Sequence, residues 1–254
     1  MRIVRASHEG RIVFGIVDET DVVVLAGDPL FAGFDTTGER IPLSKVQLLA
    51  PVIPRSKVIG IGRNYAAHAA ELGNDVPESP LVFLKPNTSV IGPGDPIVLP
   101  PESSNVHFEG ELALVVGRVT RRVSKADALD HVFGWTIAND VTARDLQQSD
   151  GQWSRAKGFD TFCPLGPGIE TDLDTADLAL ETRLDGETKQ SGSTRDLIFD
   201  IPTLVEHVSA AMTLLPGDVI LTGTPAGVGP MAAGQVVEVS IAGLGTLRNP
   251  VVQG

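Results

Sequence analysis

The sequence predicts a β-rich α+β fold. Its 27 glycines and 18 prolines punctuate short, valine-rich extended segments, and these are the residues that turn a chain between strands. Helix-type periodicity is scarce. A length of 254 residues with 42% hydrophobic content suffices for one large domain, or for one large domain and a small companion.

Charge and composition narrow the classes of function. The chain carries 20 Lys+Arg against 32 Asp+Glu, a net charge of -12. Such an acidic surface disfavours nucleic acid and anionic membranes as partners. No apolar run approaches the length of a transmembrane helix. The N-terminus, Met1-Arg2-Ile3-Val4-Arg5, lacks the apolar core of a signal peptide. Cys163 is the single cysteine, so neither a disulfide framework nor a cysteine metal site is expected. A cytoplasmic protein is the expectation.

Residues 1–55 are expected to form a small β-rich N-terminal domain, and residues 56–254 the main domain. Short strands are predicted at 3–5, 11–17 and 22–25, with a proline-marked connector at 50–55. His8 stands alone and is assigned to the surface. Residues 57–62 form a strand that runs into Arg63-Asn64-Tyr65. Its Gly60-x-Gly62 pair suggests a dinucleotide loop, but Tyr65 occupies the place of the third glycine and that reading is rejected. Residues 66–72 form a short helix, with Asn64 as its cap. His68 and Glu71 lie i, i+3 on one face. A carboxylate beside an imidazole orients it and raises its basicity, as a water-activating base requires; the plainer alternative is an incidental pair on an exposed helix. The polar loop at 73–80 gives this helix the setting of a lid. Residues 81–86 form an apolar strand ending in basic Lys85.

The chain is organised around residues 106–116, Val-His-Phe-Glu-Gly-Glu-Leu-Ala-Leu-Val-Val. Strand side chains alternate between faces. Glu109 and Glu111 therefore share one side with Ala113 and Val115, while Leu112, Leu114 and Val116 take the other. Two carboxylates on a buried strand repel each other. A divalent cation, a basic side chain or a shared proton must neutralise them, unless the pair faces solvent on a sheet edge. Residues 125–131 read as a short helix capped by Ser124. Residues 133–140 form another apolar strand, and Asp140 at its end is a natural third ligand. Three carboxylates without a Cys or His cluster suit Mg²⁺, Mn²⁺ or Ca²⁺ better than Zn²⁺. Arg144 and Gln147 share a helix face, a guanidinium beside an amide suited to gripping a carboxylate. Lys157 falls in a Gly/aromatic loop, where it balances the acids or stabilises an oxyanion, unless it is a surface charge.

Residues 178–184 form a strand closed by an Asp185-Gly186 hairpin turn, with Glu181 and Arg183 on its surface. Ile201-Pro202 opens the clearest helix. Leu204, Val205, Val208 and Met212 form its apolar stripe, His207 beside it is explained by packing as well as by function, and Pro216-Gly217 stops it. Residues 219–229 run from a strand into a glycine loop. It is no P-loop, but its N–H groups and the Thr224 hydroxyl are suited to an anion. Strands at 236–241 and 246–252 close the sheet.

Taken together these segments resemble the fumarylacetoacetate hydrolase family. The matching motifs are Gly62-Arg63-Asn64-Tyr65-Ala66-Ala67-His68-Ala69-Ala70-Glu71, Phe83-Leu84-Lys85-Pro86, Glu109-Gly110-Glu111, Asn139-Asp140-Val141-Thr142-Ala143-Arg144-Asp145-Leu146-Gln147, Lys157-Gly158-Phe159-Asp160 and the 221–229 loop, in the family's order. The resemblance implies a mixed β-roll main domain, a small N-terminal domain as in bacterial members, and a homodimer. It implies that Glu109, Glu111 and Asp140 bind Mg²⁺ or Mn²⁺, and that His68 and Glu71 activate water on a mobile lid. Arg144, Gln147, Lys157 and Thr224 would match substrate-binding positions, with Lys157 near the reacting oxygen; Lys85 and Tyr65, inside the motifs, are counted with them.

The implied activity is Mg/Mn-dependent chemistry on small 2-oxo acids through an enolate. C–C hydrolysis of an acylpyruvate of the fumarylpyruvate type ranks first. Oxaloacetate decarboxylation comes second, and isomerisation of 2-hydroxyhepta-2,4-diene-1,7-dioate in aromatic catabolism third. From another class, a non-catalytic metal-stabilised binding protein would use the acids for structure alone; the complete His68–Glu71 pair argues against it. A β-rich protein without metal is the plainest reading.

Overall fold

The structure is a computed structural model that describes residues 1–254, and it is β-rich with short helices, as the sequence predicts. Its main sheet has twelve strands, ten of which form one path. In chain order these ten are β1 (Arg2–His8), β2 (Arg11–Asp18), β3 (Asp21–Leu25), β4 (Thr36–Pro42), β5 (Val58–Gly62), β6 (Leu81–Lys85), β7 (Gly110–Val116), β8 (Val132–Asn139), β9 (Cys163–Glu170) and β10 (Val219–Leu221). Across the sheet they run β4-β3-β2-β1-β9-β8-β7-β10-β5-β6. A five-stranded sheet, which includes the hairpin Ala179–Leu184 and Glu187–Ser193, packs on one face. The helices that matter are α1 (Ala66–Glu71), α2 (Arg144–Ser149), α3 (Ser154–Gly158) and α4 (Ile201–Ala211).

β7 is central, paired with β8 on one side and β10 on the other. Its side chains divide between two cores as alternation demands. Leu112, Leu114 and Val116 join Ile59, Ile220 and α4 on one face. Ala113 and Val115 join Val58, Val219 and Leu165 on the other, the face toward which the glutamates project. One detail differs from expectation. The stretch 106–116 is not a single strand: Val106–Phe108 pairs with residues of another, three-stranded sheet, and Glu109 sits at the break.

The N-terminal strands are an antiparallel meander with a small core of Ala6, Val13, Val24 and Ile41. β1 also pairs with β9 through Ile3↔Ile169, so the meander extends the main sheet. Ile3, Ala50 and Val52 belong to the core that lies under β7.

Several local readings are corrected. Asn64 does not cap α1. Its amide is turned inward, donating to Thr222 O (2.8 Å) and Phe199 O (3.1 Å) and accepting from Phe199 N–H (2.8 Å), because a fully buried amide with three backbone partners outweighs one capping bond at an exposed helix end. Ser124 donates to Asp127 Oδ2 (2.6 Å) rather than capping, and Lys125–His131 is a 3₁₀ segment. α4 is capped by Asp200, which accepts from Thr203 N–H (3.0 Å), and it ends at Ala211, before Pro216-Gly217. The chain leaves the helix early because Leu214 and Thr120 exchange backbone hydrogen bonds. The Gly60-x-Gly62 pair exists for packing. A Cβ at Gly60 would lie 2.1 Å from Phe83 Cζ, and one at Gly62 2.7 Å from Trp153 Cζ3.

β5 and β10 are parallel neighbours, and buried Asp218 fastens their starts. Its carboxylate accepts from Ser56 Oγ (2.7 Å) and from the N–H groups of Lys57 (3.1 Å) and Leu215 (2.9 Å), and pairs with Lys57 Nζ (2.9 Å). Burial pushes this carboxyl up, but the hydrogen bonds and Lys57 outweigh that and hold it below its ordinary value. Its stabilising contribution is therefore complete above the unfolded value of about 3.9 and is lost as pH falls through the lower folded value. Asp218→Asn is expected to cost about 3 kcal/mol at pH 7, because it turns an amide N–H₂ toward donors. In thermal melts across pH, the gap between variant and wild type should narrow below about pH 4.

Candidate active site

Four strand ends meet at one edge of the main sheet. Antiparallel pairing sets Gly110 opposite Asn139, so the start of β7 brings Glu109 and Glu111 beside Asp140, which follows β8. β10 runs antiparallel to β7 and delivers Thr222, Gly223 and Thr224 to the same edge. β5, parallel to β10, ends there and passes into Arg63 and α1.

One carboxylate oxygen from each of Glu109, Glu111 and Asp140 lies within 4.8 Å of the others. The residues are 3%, 2% and 1% exposed, which removes the solvent-facing alternative. Two of them are neutralised by basic side chains. Lys157 Nζ lies 2.8 Å from Glu109 Oε2 and 2.5 Å from Asp140 Oδ2. Lys85 Nζ lies 2.6 Å from Asp140 Oδ1. Arg144 Nη2 donates to Glu109 Oε1 and Nη1 to Gln147 Oε1 (2.7 Å). Glu111 has no basic partner; it accepts the Gly223 N–H at 2.6 Å.

The electrostatics follow from that asymmetry. Burial pushes the Glu109 carboxyl up, but Lys157 and Arg144 override it and hold it well below the usual carboxylate range. Burial, then the Asp140 and Glu109 charges, push Glu111 well above that range. Burial opposes charge on Lys157, yet Asp140 and Glu109 raise its pKa and keep it cationic. Three buried oxygen-donor residues, one lacking a counter-charge, fit a hard divalent cation such as Mg²⁺ or Mn²⁺.

The remaining predicted residues gather around the triad, with corrections. Lys157 is not in a loop but on α3, and its ammonium lies 4.8 Å from the Phe83 ring centroid. His68 is 5% exposed, and its Nδ1 is 3.3 Å from the Oε2 of the more exposed Glu71, so the imidazole is buried rather than on an exposed helix face. Glu71 Oε1 also accepts the Gly227 N–H (3.0 Å), tying α1 to the glycine loop. The anions held by that loop are thus the chain's own Glu71 and Glu111. The Thr224 hydroxyl is likewise committed: it donates to Gly110 O (2.9 Å) and accepts from Gln190 Nε2 (2.7 Å).

His68, Arg144, Gln147, Lys157, Thr224 and the triad line one cavity of about 250 Å³. Lys85 and Tyr65 do not line it. Fully buried Lys85 stands behind Asp140. Burial, then the Glu111 charge, push the hydroxyl of buried Tyr65 further up.

Sequence reasoning missed Arg63, Asn74, Gln148, Phe83 and Trp153 as lining residues. It also missed Gln190, whose Oε1 accepts the Gly110 N–H (2.9 Å). Together Gln190 and Thr224 hold both ends of the residue between the two glutamates. Gly110 has no room for a side chain, since a Cβ would lie 2.2 Å from Thr182 Oγ1. Gln190 sits in a polar hairpin strand that carried no signal.

Residues 57–252 match the family model described as fumarylacetoacetate (FAA) hydrolase C-terminal, and residues 1–51 match Rv2993c-like, N-terminal. The chain belongs to the fumarylacetoacetate hydrolase family. Protein Rv2993c of Mycobacterium tuberculosis is 52% identical, covering 100% of this chain and 98% of its own. Oxaloacetate tautomerase YisK of Bacillus subtilis is 46% identical over 82% of this chain and 74% of its own. Mitochondrial oxaloacetate decarboxylase of Dictyostelium discoideum is 46% identical over 75% and 90%. Among solved structures, 2-hydroxyhepta-2,4-diene-1,7-dioate isomerase from Mycobacterium marinum superposes with a TM-score of 0.92 at 49% identity, covering 100% of this chain and 98% of its own. Maleylpyruvate hydrolase from Sphingobium sp. SYK-6, in complex with manganese(II) and pyruvate, does so at 0.83 and 34%, covering 100% of both. No helix of the present chain is long and apolar enough to cross a membrane.

The uneven charge pairing predicts uneven mutational costs. With chelator present, Glu109→Gln should lose about 3 kcal/mol in urea unfolding, because it strands the buried Lys157 and Arg144 charges. Glu111→Gln should be neutral or stabilising under the same conditions, since it removes a carboxyl with no basic partner.

Proposed function

We propose that this chain is a Mg²⁺- or Mn²⁺-dependent enzyme that acts on small 2-oxo acids by stabilising enolate charge. The observation that carries this reading is that the buried Glu109–Glu111–Asp140 triad and His68, whose Nδ1 is held by Glu71, line one cavity. A divalent cation held by the triad supplies Lewis-acid stabilisation of negative charge on the carbonyl oxygen of a 2-oxo acid.

The chain's own residues do the rest. Lys157 spends two of its three N–H donors on Glu109 and Asp140, which leaves one for a substrate oxygen. Arg144, held flat against Glu109 and Gln147, orients the substrate carboxylate. Glu71 fixes the His68 ring through Nδ1, so Nε2 is the atom that accepts a proton. In hydrolysis of an acylpyruvate, His68 takes a proton from water and the hydroxide attacks the distal carbonyl. The C–C bond beyond C3 then breaks, its electrons pass into the pyruvate enolate, and His68 returns the proton to C3. Hydrolysis draws on the His68–Glu71 pair, Lys157 and Arg144 together and is the leading reaction.

A second reading is favoured by the names of the relatives at 46–49% identity, which are a tautomerase, a decarboxylase and an isomerase acting on oxaloacetate or a hydroxydienedioate, against 39% and 34% for two hydrolases. In those reactions His68 would move a proton on the same enol, or hold water beside it. The homodimer belongs to the proposal as well and is measured by sedimentation.

Chelator-treated protein should gain thermal stability on addition of Mn²⁺, and Glu109→Ala should abolish that gain. With Mn²⁺, pyruvate should be released from fumarylpyruvate or acetylpyruvate, and His68→Ala should lower the rate about 10²- to 10⁴-fold. Consumption of oxaloacetate alone, with His68→Ala largely active, would favour the second reading. Ligand binding without turnover of any 2-oxo acid would leave a binding protein.

A further inference from the structure

The cavity is lined by three cationic side chains of Lys and Arg, and they are not equivalent. Lys157 and Arg144 are paired with the triad. Arg63 lines the same cavity yet makes no hydrogen bond or ion pair with any protein group. Its backbone is also unusual, with φ +57, in the left-handed region that favours glycine. Such strain persists only where the surroundings over-determine it. Here β5 is paired with β10 as far as Gly60 and with β6 as far as Gly62, and the following Asn64 is locked by its three inward hydrogen bonds. The fold therefore holds an arginine rigidly at a position where glycine would cost less, and leaves its guanidinium without an acid.

We infer that Arg63 receives the carboxylate at the far end of a dicarboxylic 2-oxo acid, and so selects diacids over monoacids. This rests on the reading of the cavity as a 2-oxo acid site and adds the class of acid to it. A guanidinium offers a planar pair of donors matched to a carboxylate. Formal charge agrees. Glu71, Glu109, Glu111 and Asp140 balance Arg63, Lys85, Arg144 and Lys157, so a divalent cation leaves two positive charges, which a dianion cancels and a monoanion does not.

The test compares 2-oxoglutarate with 2-oxopentanoate, which lacks the distal carboxylate. Binding is read by quenching of Trp153, which lines the cavity, with and without Mn²⁺. Wild type should prefer the diacid, and Arg63→Gln should reduce the diacid-to-monoacid affinity ratio about tenfold to a hundredfold, the worth of a hydrogen bond to a charged group. Arg63→Lys should retain part of the preference. Arg63→Gly should melt no lower than wild type, since its backbone suits φ +57, while losing the preference as fully as Arg63→Gln. A wild type without diacid preference, or a preference unmoved in Arg63→Gln and Arg63→Gly, overturns the inference. If wild type turns over 2-oxo acids and the ratio stays fixed in the variants, this assignment alone fails. If the ratio collapses but no 2-oxo acid is turned over, the enzymatic reading fails and Arg63 keeps its role.

Discussion

The structure depends on pairing buried charge with buried charge. Glu109 and Asp140 are shielded from water, as are Lys85, Lys157 and Arg144. Each such ion carries a desolvation cost of several kcal/mol that only a close partner offsets. The five side chains come from separate strands, helices and strand junctions, so the site is assembled only when the sheet is in register. Glu111 is the deliberate exception in this balance, a carboxylate with a backbone N–H for company. The cluster is therefore a place where a further positive charge is favoured.

Register does the positioning. β7, β8, β10 and β5 bring their ends to one edge because β8 and β10 both run antiparallel to β7 and β5 runs parallel to β10. The backbone at the crucial residue is then fixed from outside the sheet, by Gln190 and Thr224 on the two sides of Gly110. Without a side chain, Gly110 lets a second sheet approach closely enough to do this.

What was legible in the sequence was what is local. Strand alternation grouped Glu109 with Glu111, a strand end offered Asp140, and helical spacing joined His68 to Glu71. The β-rich class followed from turn residues and short apolar runs. What escaped was decided by tertiary contact. Asn64 looked like a cap because its competing partners, Phe199 and Thr222, are far away in sequence. α4 ends early because Thr120 claims Leu214. The glycine loop looked ready for an external anion, whereas Glu71 and Glu111 already occupy its N–H groups. Gln190 offered no pattern at all, and Arg63 showed nothing special until its backbone angle and its lack of a partner were visible.

The joint between β1 and β9 carries one more consequence. Ile3 pairs with Ile169 and is buried in the same core as Ala113, Val115 and Leu221, one strand removed from the strand that leads to Asp140. A polypeptide trimmed to the segment that begins at β5 would bare the hydrogen-bonding edge of β9 and a greasy imprint beside it, the kind of unprotected border that invites self-association. The first fifty residues thus serve as a built-in selvedge, and any shorter relative must finish that hem with a different piece of cloth.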